Sequence, residues 1–470
     1  MMIILLGLSL LFPLLLGYCI VALVLRNRTI SPALERFAWA FGLGTAFLTM
    51  VMFILVLLKV PLTLANIILP CLVLLCPALF LIIKKRYPLF GLFSLSATFR
   101  SVLIADKEQG RLVYWSERTL LLAVILKIGY VFFEALIKPV VAWDAWTSWA
   151  FKARIFFIDK VPLVSYFERY PIGIKDYPLH IPFLETWIYN CLGVWNDQVV
   201  KIIFPLYFVC LLLILYYGLR RLLPRLNSLI FTFVLSALPF LTYHATISYA
   251  DFPLAFYYLA GLMLLYLFMA SKDKSFLLLS MLYLGCLPWV KKEGMLLLAV
   301  VLFVYLLYLF FEKDGASFKD KLLSDLKYLV VPLLLSAPWA LFKTAMGIGA
   351  NRDQRPYLPA FSVLAERLVN LLRISGEKMF FSGNWNILWA LFFLVGAIYF
   401  WRIISSKAKY LFLTVLLNLA ALAAIYLFTD SYKYLLDGTT LNRNMLTFIP
   451  SLVLCLAVGV PAALFGTERS

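Results

Sequence analysis

Charged residues are scarce in this sequence. Asp, Glu, Lys and Arg make up 14% of its 470 residues, whereas 64% are hydrophobic. A soluble domain has about a quarter charged residues and about half apolar ones, so a soluble globular fold is excluded. Apolar runs of roughly 17–25 residues, long enough to cross a bilayer as helices, recur along the chain. The composition predicts an all-α polytopic membrane protein.

The motifs of several enzyme classes are also absent. There is no GxxxxGK[ST], no GxSxG, no HExxH and no DxD in the loops expected to lie outside the membrane. Nucleotide hydrolysis, serine hydrolysis and zinc proteolysis are therefore not indicated. The seven cysteines show neither a disulfide framework nor the spacing of metal ligands. We expect no cofactor and no divalent metal.

What is present is a series of thirteen predicted spans. They cover residues 3–25, 37–58, 62–83, 119–137, 199–218, 227–243, 252–270, 275–290, 294–311, 327–346, 386–402, 409–428 and 446–465. The short basic connections fall on one side, at 26–28, 84–86, 220–225, 271–274, 312–327 and 401–409. Lys and Arg are enriched in cytoplasmic loops, so this side is expected to be cytoplasmic, with the N-terminus outside and the C-terminal GTERS inside. The first segment lacks a basic n-region and a cleavage site, which predicts a retained span.

The net charge of +18 is spread over span ends instead of one soluble face, and nucleic-acid binding is therefore not indicated. Some of the basic residues nevertheless fall on the predicted outer side, where topology does not explain them, and they favour an anionic ligand. They are Lys152, Arg154, Lys291, Lys292, Arg352, Arg355 and Arg443.

Two long outer loops, 138–198 and 347–385, interrupt the spans, and an inner loop at 84–118 separates the first three spans from the rest. In the first outer loop, Asp144, Ser148 and Lys152 recur at helical spacing among tryptophans and phenylalanines. This pattern is typical of an amphipathic helix in the membrane interface, and 178–195 is a second candidate.

Two acids are candidates for catalysis. Asp144 follows a span and is flanked by tryptophans, so it is either a general base at the membrane surface or a cap of the following helix. Asp251 lies in TYHATISYADFP with His244 and Tyr249, and it is either functional or an N-cap before Pro253.

Basic residues at span ends could hold a phosphate. The turn WVKKEG places Lys291, Lys292 and Glu293 between two apolar runs, where snorkelling is the alternative role for the lysines. Arg443 precedes the last span, and an arginine suits phosphate because its planar fork bonds two oxygens. For His180, a structural hydrogen bond is the favoured role.

These motifs together resemble the GT-C class of membrane glycosyltransferases. The residues that carry the resemblance are WDAWTSWAFKAR, DYPLHIPFLETW, SYADFPLAFYYL, WVKKEG and LNRNMLTFIP, in that order, from about residue 119 to 465. They are most similar to the branch that uses polyprenyl-phosphate sugars, which is related to protein mannosyltransferases and aminoarabinose transferases. Residues 1–118 would then be a three-span extension with a cytoplasmic loop.

The resemblance implies an enzyme of a bacterial inner membrane with its site on the periplasmic face. It would move a sugar from a lipid-linked donor to a glycan, lipid or protein, with Asp144 as base and Asp251 as second acid. Lys291 or Lys292 and Arg443 would bind the donor phosphate, assisted by Arg352 and Arg355. Supporting residues would be Lys152, Arg154, Tyr177, His180, His244, Tyr249 and Glu293. The family often has Asp-Glu at the first acid, but Ala145 follows Asp144 here.

Two other functions compete with this interpretation. A flippase or transporter would carry ionisable residues near the middle of its spans, where the only clear charges are Lys127 and Glu134, and would show repeated halves. An O-antigen ligase or polymerase would concentrate arginines and a histidine in a late loop, and the late loop here lacks histidine.

Overall fold

The computed structural model describes residues 1–26, 32–87, 110–161, 166–167, 175–312, 315–349 and 352–460. Within these ranges the chain is helical and contains no β-strand. Nine helices of the described residues are long and apolar enough to cross a membrane, and four shorter apolar helices accompany them. The protein is therefore a polytopic helical membrane protein, as predicted. The number of thirteen spans and the GT-C arrangement stay predictions.

The helices are numbered here in chain order. They are α1 Met2–Leu25, α2 Ala33–Leu57, α3 Leu64–Lys84, α4 Arg111–Ile137, α5 Ala150–Asp159, α6 His180–Leu192, α7 Ile203–Arg220, α8 Arg225–Ser236, α9 Pro239–His244, α10 Asp251–Ser271, α11 Lys274–Val290, α12 Gly294–Phe311, α13 Phe318–Ala345, α14 Phe361–Gly376, α15 Leu388–Ile398, α16 Phe400–Ser405, α17 Ala408–Phe428, α18 Tyr432–Leu436, α19 Leu441–Leu446 and α20 Ile449–Gly459.

Several predicted spans are divided or shorter than expected. The span at 227–243 is two helices, α8 and α9, because Pro239 begins the second one and cannot continue the first. The span at 386–402 is likewise divided into α15 and α16 at Tyr399. Several predicted segments lie wholly or partly outside the described residues: the connection 26–28, the inner loop 84–118, the last span beyond residue 460 and the C-terminal GTERS.

The first of two compact units comprises Met1–Tyr217 and His244–Pro253. Its helices α1 and α2 pack very closely at two glycines. A Cβ at Gly17 would lie 1.7 Å from the carbonyl oxygen of Ala40, and one at Gly44 would lie 1.8 Å from that of Pro13. Small residues allow membrane helices to approach in this way. Helix α6 packs on this pair, and the Trp187 Nε1–H donates a 2.8 Å hydrogen bond to the Ser9 carbonyl.

The second unit comprises Gly218–Tyr243 and the chain from Leu254 onward. In it, α11 packs on α12 and α13, α12 packs on α17, and α17 packs on α20. This division does not test the predicted boundary at residue 118 between a three-span extension and a catalytic module, which stays a prediction.

Candidate active site

The segment after α4 carries the first predicted acid. A π-helical turn, Ala145–Trp149, leads into α5. Ser148 and Lys152, predicted to share a polar face with Asp144, are buried, whereas Trp143 and Trp146 are 70% and 65% exposed. The polar face therefore points into the protein and these two tryptophans point outward.

Aromatic rings surround the buried ammonium group of Lys152. Its Nζ lies 5.7 Å from the ring centroid of Trp149, 5.4 Å from that of Tyr166 and 6.0 Å from that of Tyr177. The negative faces of aromatic rings attract a cation, which offsets part of the cost of its burial. Arg154, also a predicted supporting residue, is exposed, and its guanidinium lies 4.3 Å from the ring centroid of Trp195.

Asp144 is half-buried, and Tyr249 holds its backbone. The Asp144 N–H donates a 3.0 Å hydrogen bond to the Tyr249 hydroxyl. The Asp144 side chain makes no capping hydrogen bond to the helical turn that follows it. The capping role considered for this carboxylate is therefore wrong.

The turn from His244 to Asp251 brings further candidates next to this contact. The His244 ring packs edge-on against the Tyr249 ring, with centroids 5.6 Å apart. Asp251 is fully buried and is itself the first residue of α10. An acid in the first turn is stabilised by the helix dipole, so this position suits a buried carboxylate.

Glu185 is a buried acid that the sequence interpretation did not select. It is fully buried on α6, and its Oε1 accepts a hydrogen bond from the Ser248 hydroxyl. Its Oε2 has no hydrogen-bond partner among the described residues. Burial raises the pKa of Glu185 to about 8. The available signal was the single acid in the mostly apolar helix sequence HIPFLETWIYNCL.

His180 lies about one helical turn before Glu185, and both of its ring nitrogens make hydrogen bonds. Nδ1 lies 2.8 Å from the Thr49 hydroxyl and Nε2 lies 2.9 Å from the Tyr207 hydroxyl. Burial lowers the pKa of His180 to about 3, so the ring is neutral. These contacts join α2, α6 and α7, which is the arrangement of a structural histidine. Tyr177 packs at 5.0 Å on Trp149 and belongs to the neighbouring aromatic group.

The WVKKEG turn lies in the second unit, between α11 and α12. Lys291 is only 2% exposed, and its Nζ lies 3.5 Å from Oε1 of Glu293. A Cβ at Gly294 would lie 2.2 Å from the carbonyl oxygen of Leu287, so only glycine fits there. The tight turn therefore fixes the backbone that carries Lys291, while Lys292 is half-buried beside it.

The segment carrying Arg443 lies at the C-terminal end of α17. The Tyr426 hydroxyl lies 2.9 Å from the Thr440 hydroxyl and accepts a 3.2 Å hydrogen bond from Asn444. The carboxylate of Glu293 also interacts electrostatically with Tyr426. Half-buried Arg443, on α19, and the WVKKEG turn thus belong to the same end of the second unit.

The Arg352–Arg355 segment reaches this end of α17 as well. The Tyr357 N–H donates a 2.8 Å hydrogen bond to the Phe428 carbonyl. The carboxylate of Asp353 lies 2.7 Å from the Lys433 ammonium, and this contact, with a hydrogen bond from Tyr434, lowers the pKa of Asp353. Arg355 is exposed, and the side chain of Arg352 lies outside the described part of the structure.

Several of the predicted site residues thus form two groups, one in each unit, whereas Lys152, Arg154, Tyr177 and His180 make the separate contacts described above in the first unit. The first contains Asp144, Asp251, His244 and Tyr249. Glu185 is added to it because it binds Ser248, in the turn from His244 to Asp251. The second contains the turn of Lys291 to Glu293 and the segments of Arg443 and Arg355. Across the described ranges, no three His, Cys, Asp or Glu side chains form a group that could hold a metal ion. Comparison with protein-family models, curated proteins and solved structures finds no match to this chain.

Proposed function

We propose that the protein is a membrane glycosyltransferase that takes a sugar from a polyprenyl-phosphate donor on the non-cytoplasmic face. The acceptor would be an envelope glycan, a lipid or a protein. The observation that carries the proposal is the hydrogen bond from Asp144 to Tyr249, which joins the two acid-bearing segments in one compact unit. A transferase of this kind needs a carboxylate held firmly beside the membrane, where a lipid-borne sugar meets an acceptor from water.

The proposed reaction uses Asp144 as the general base. The acceptor hydroxyl or amine gives its proton to the Asp144 carboxylate and forms a bond to the anomeric carbon of the sugar. The bond from that carbon to the phosphate oxygen breaks, and the electron pair leaves with the polyprenyl phosphate. A positioned base contributes about 10²–10⁴ in rate. Asp251 is assigned to acceptor binding.

The second group would stabilise the leaving phosphate. Lys291 is buried beside Glu293, and burial strengthens the attraction of its ammonium group for a phosphate. Lys292, Arg443, Arg352 and Arg355 are assigned the same role. Lysine and arginine supply positive charge without a proton transfer, so the proposed reaction requires no divalent metal.

The test measures sugar transfer by the purified full-length protein in nanodiscs. It is incubated with membrane lipids that carry radiolabelled polyprenyl-phosphate sugars, with and without EDTA. Label should move to a new acceptor in both conditions. Asp144→Asn should reduce transfer by at least the 10²-fold expected for loss of a general base.

Asp159→Asn is the matched control, because this acid lies in the same loop at the end of α5. It should transfer label as the wild type does. If Asp144→Asn transferred label as fast as the wild type, Asp144 would not be the general base, but the protein would still be a glycosyltransferase. Absence of transfer from every donor, together with movement of labelled lipid across a liposome bilayer, would replace the transferase with a lipid carrier.

A further inference from the structure

The second unit contains an apolar groove that the proposed reaction does not use. It has a volume of about 740 Å³ and lies between α12, α15, α16 and α17. Phe311, Phe392, Phe400 and Phe412 are among its lining residues. Its volume is within the range of about 300–1,000 Å³ that small-molecule sites have.

The groove carries a positive charge where it meets the first turn of α17. Lys409 is the one charged residue among those that line it. Its ammonium lies 5.2 Å from the ring centroid of Tyr410 and makes no ion pair with a carboxylate of the described residues. Nearby Lys272, by contrast, is paired with Glu312 at 2.8 Å. The groove therefore combines apolar walls with one cation that has no carboxylate partner in the described part of the chain.

The length of the groove along α17 matches part of an acyl chain. Lys409 and Tyr410 lie in the first turn of α17, and Leu416 is the lining residue of that helix furthest from Lys409. Seven residues of α-helix correspond to about 10 Å. A chain that enters at Lys409 would thus run about 10 Å along the phenylalanine rings.

The groove lies at the opposite end of the helices from the proposed donor site. Helix α12 begins at Gly294, beside Lys291, and ends at Phe311, which lines the groove. Its length corresponds to about 26 Å, close to the thickness of the hydrocarbon core. Helix α17 repeats the arrangement, with Lys409 at one end and Tyr426 at the other. A lipid in this groove therefore belongs to the other leaflet from the sugar donor.

We infer that this groove binds one anionic glycerophospholipid, with an acyl chain between the phenylalanine rings and its phosphate at Lys409. Arg402, exposed on α16 and part of the same basic connection, adds attraction for the headgroup. A juxtamembrane cation attracts anionic lipid headgroups, which explains the position of Lys409 at a span end. This inference is independent of the proposed transferase activity.

The experiment uses native mass spectrometry of the delipidated full-length protein. The probes are palmitoyl-oleoyl phosphatidylglycerol and phosphatidylcholine with the same chains. We expect one phosphatidylglycerol to bind at least about fivefold more tightly than phosphatidylcholine. Lys409→Gln should weaken the binding of phosphatidylglycerol about fivefold and leave the binding of phosphatidylcholine unchanged. Lys343→Gln, at the end of α13, is the charge control.

A second variant fills the groove. A Cβ at Gly396 would lie 3.8 Å from the Phe412 ring, so alanine fits there while leucine would extend into the groove. Gly396→Leu should lower the affinity for both lipids at least tenfold, and Ala397→Leu serves in its place if that variant does not fold. Gly129→Leu is the control, because nothing lies within 4 Å of a Cβ there.

Three results would overturn the inference: equal affinity for the two lipids, unchanged phosphatidylglycerol binding by both groove-filling variants, or no effect of Lys409→Gln. If inorganic phosphate alone displaced phosphatidylglycerol, the headgroup would be enough for binding. That result would overturn the claim that an acyl chain occupies the groove. Tighter binding of a polyprenyl phosphate at this groove would replace the glycerophospholipid with the donor lipid.

Discussion

The backbone N–H of Asp144 donates a hydrogen bond of 3.0 Å to the hydroxyl of Tyr249, 105 residues further along the chain. Because the contact is made by the backbone N–H, it helps to fix the position of residue 144 without using its carboxylate. Tyr249 in turn packs on His244 and lies two residues before the buried Asp251. One side chain thus connects both predicted acids.

Removing this contact should slow transfer without abolishing it. A net hydrogen bond contributes about 0.5–1.5 kcal/mol, so Tyr249→Phe should reduce the rate about two- to tenfold. The reduction should appear in initial rates of sugar transfer and be smaller than that of Asp144→Asn. Tyr243→Phe, at an exposed tyrosine of the same region, should have no effect. An unchanged rate for Tyr249→Phe would show that the contact does not position Asp144.

The WVKKEG turn should not tolerate a side chain at its glycine. In Gly294→Ala, the new Cβ would meet the Leu287 carbonyl oxygen at 2.2 Å and must displace the turn. We expect a loss of about 1–3 kcal/mol in stability and a higher KM for the lipid donor, because Lys291 moves with the turn. Thermal unfolding in detergent and donor titration measure the two effects. Gly129→Ala, which meets nothing within 4 Å, should match the wild type in both.

The contact between Asp353 and Lys433 should matter more for the donor than for stability. The pair is partly exposed, and such pairs contribute little to folding. It tethers the segment of Arg355, however, so Asp353→Asn and Lys433→Gln should each raise the donor KM while leaving kcat unchanged. In a double-mutant cycle the two effects should not add, because either change breaks the same contact. Additive effects would contradict this tether.

Glu185 should make stability depend on pH. Its pKa is about 8 in the folded protein against an ordinary value of 4.5, so the folded state keeps a proton that the unfolded chain has lost. The unfolding free energy should therefore be greatest below about pH 4.5 for this group, fall as pH rises to about 8, and then level off. Thermal unfolding in detergent across this pH range measures the slope.

Glu185→Gln should flatten that slope, since glutamine can still accept the hydrogen bond from Ser248 but does not titrate. The exposed Glu366→Gln should keep the wild-type slope. An unchanged slope in Glu185→Gln would mean that another group causes the pH dependence.

The helical class and the approximate positions of nine long apolar helices among the described residues followed from the sequence, because apolar run length directly reflects bilayer thickness. The expected continuity of the spans did not always hold. The break at Pro239 lets the Phe240 N–H pair with the Asn384 carbonyl, a partner about 140 residues away that periodicity does not reveal. Helix α6 is buried on nearly every side, whereas the sequence placed it at an interface.

The candidate site was predictable where a polar residue interrupts an apolar pattern. Asp144, Asp251 and Lys291 stand out in that way, and the last two are almost fully buried. Glu185 was not predicted, because α6 also carries the polar residues His180 and Asn190 and a single acid among them does not stand out in the sequence. The inward orientation of Lys152 depends on Tyr166 and Tyr177, rings from another part of the loop, and helical spacing alone carries no such information.

The glycine contacts between α1 and α2 also bear on how the protein is made. Gly17 and Gly44 bring the two backbones into direct contact, and both helices lie within the first 57 residues of the chain. The two helices can therefore associate as a hairpin soon after they leave the ribosome and enter the bilayer. Helix α6, synthesised much later, would then dock on a surface already in place, with Trp187 closing on Ser9. Biogenesis, more than catalysis, would be the first process to fail in a Gly17→Leu protein.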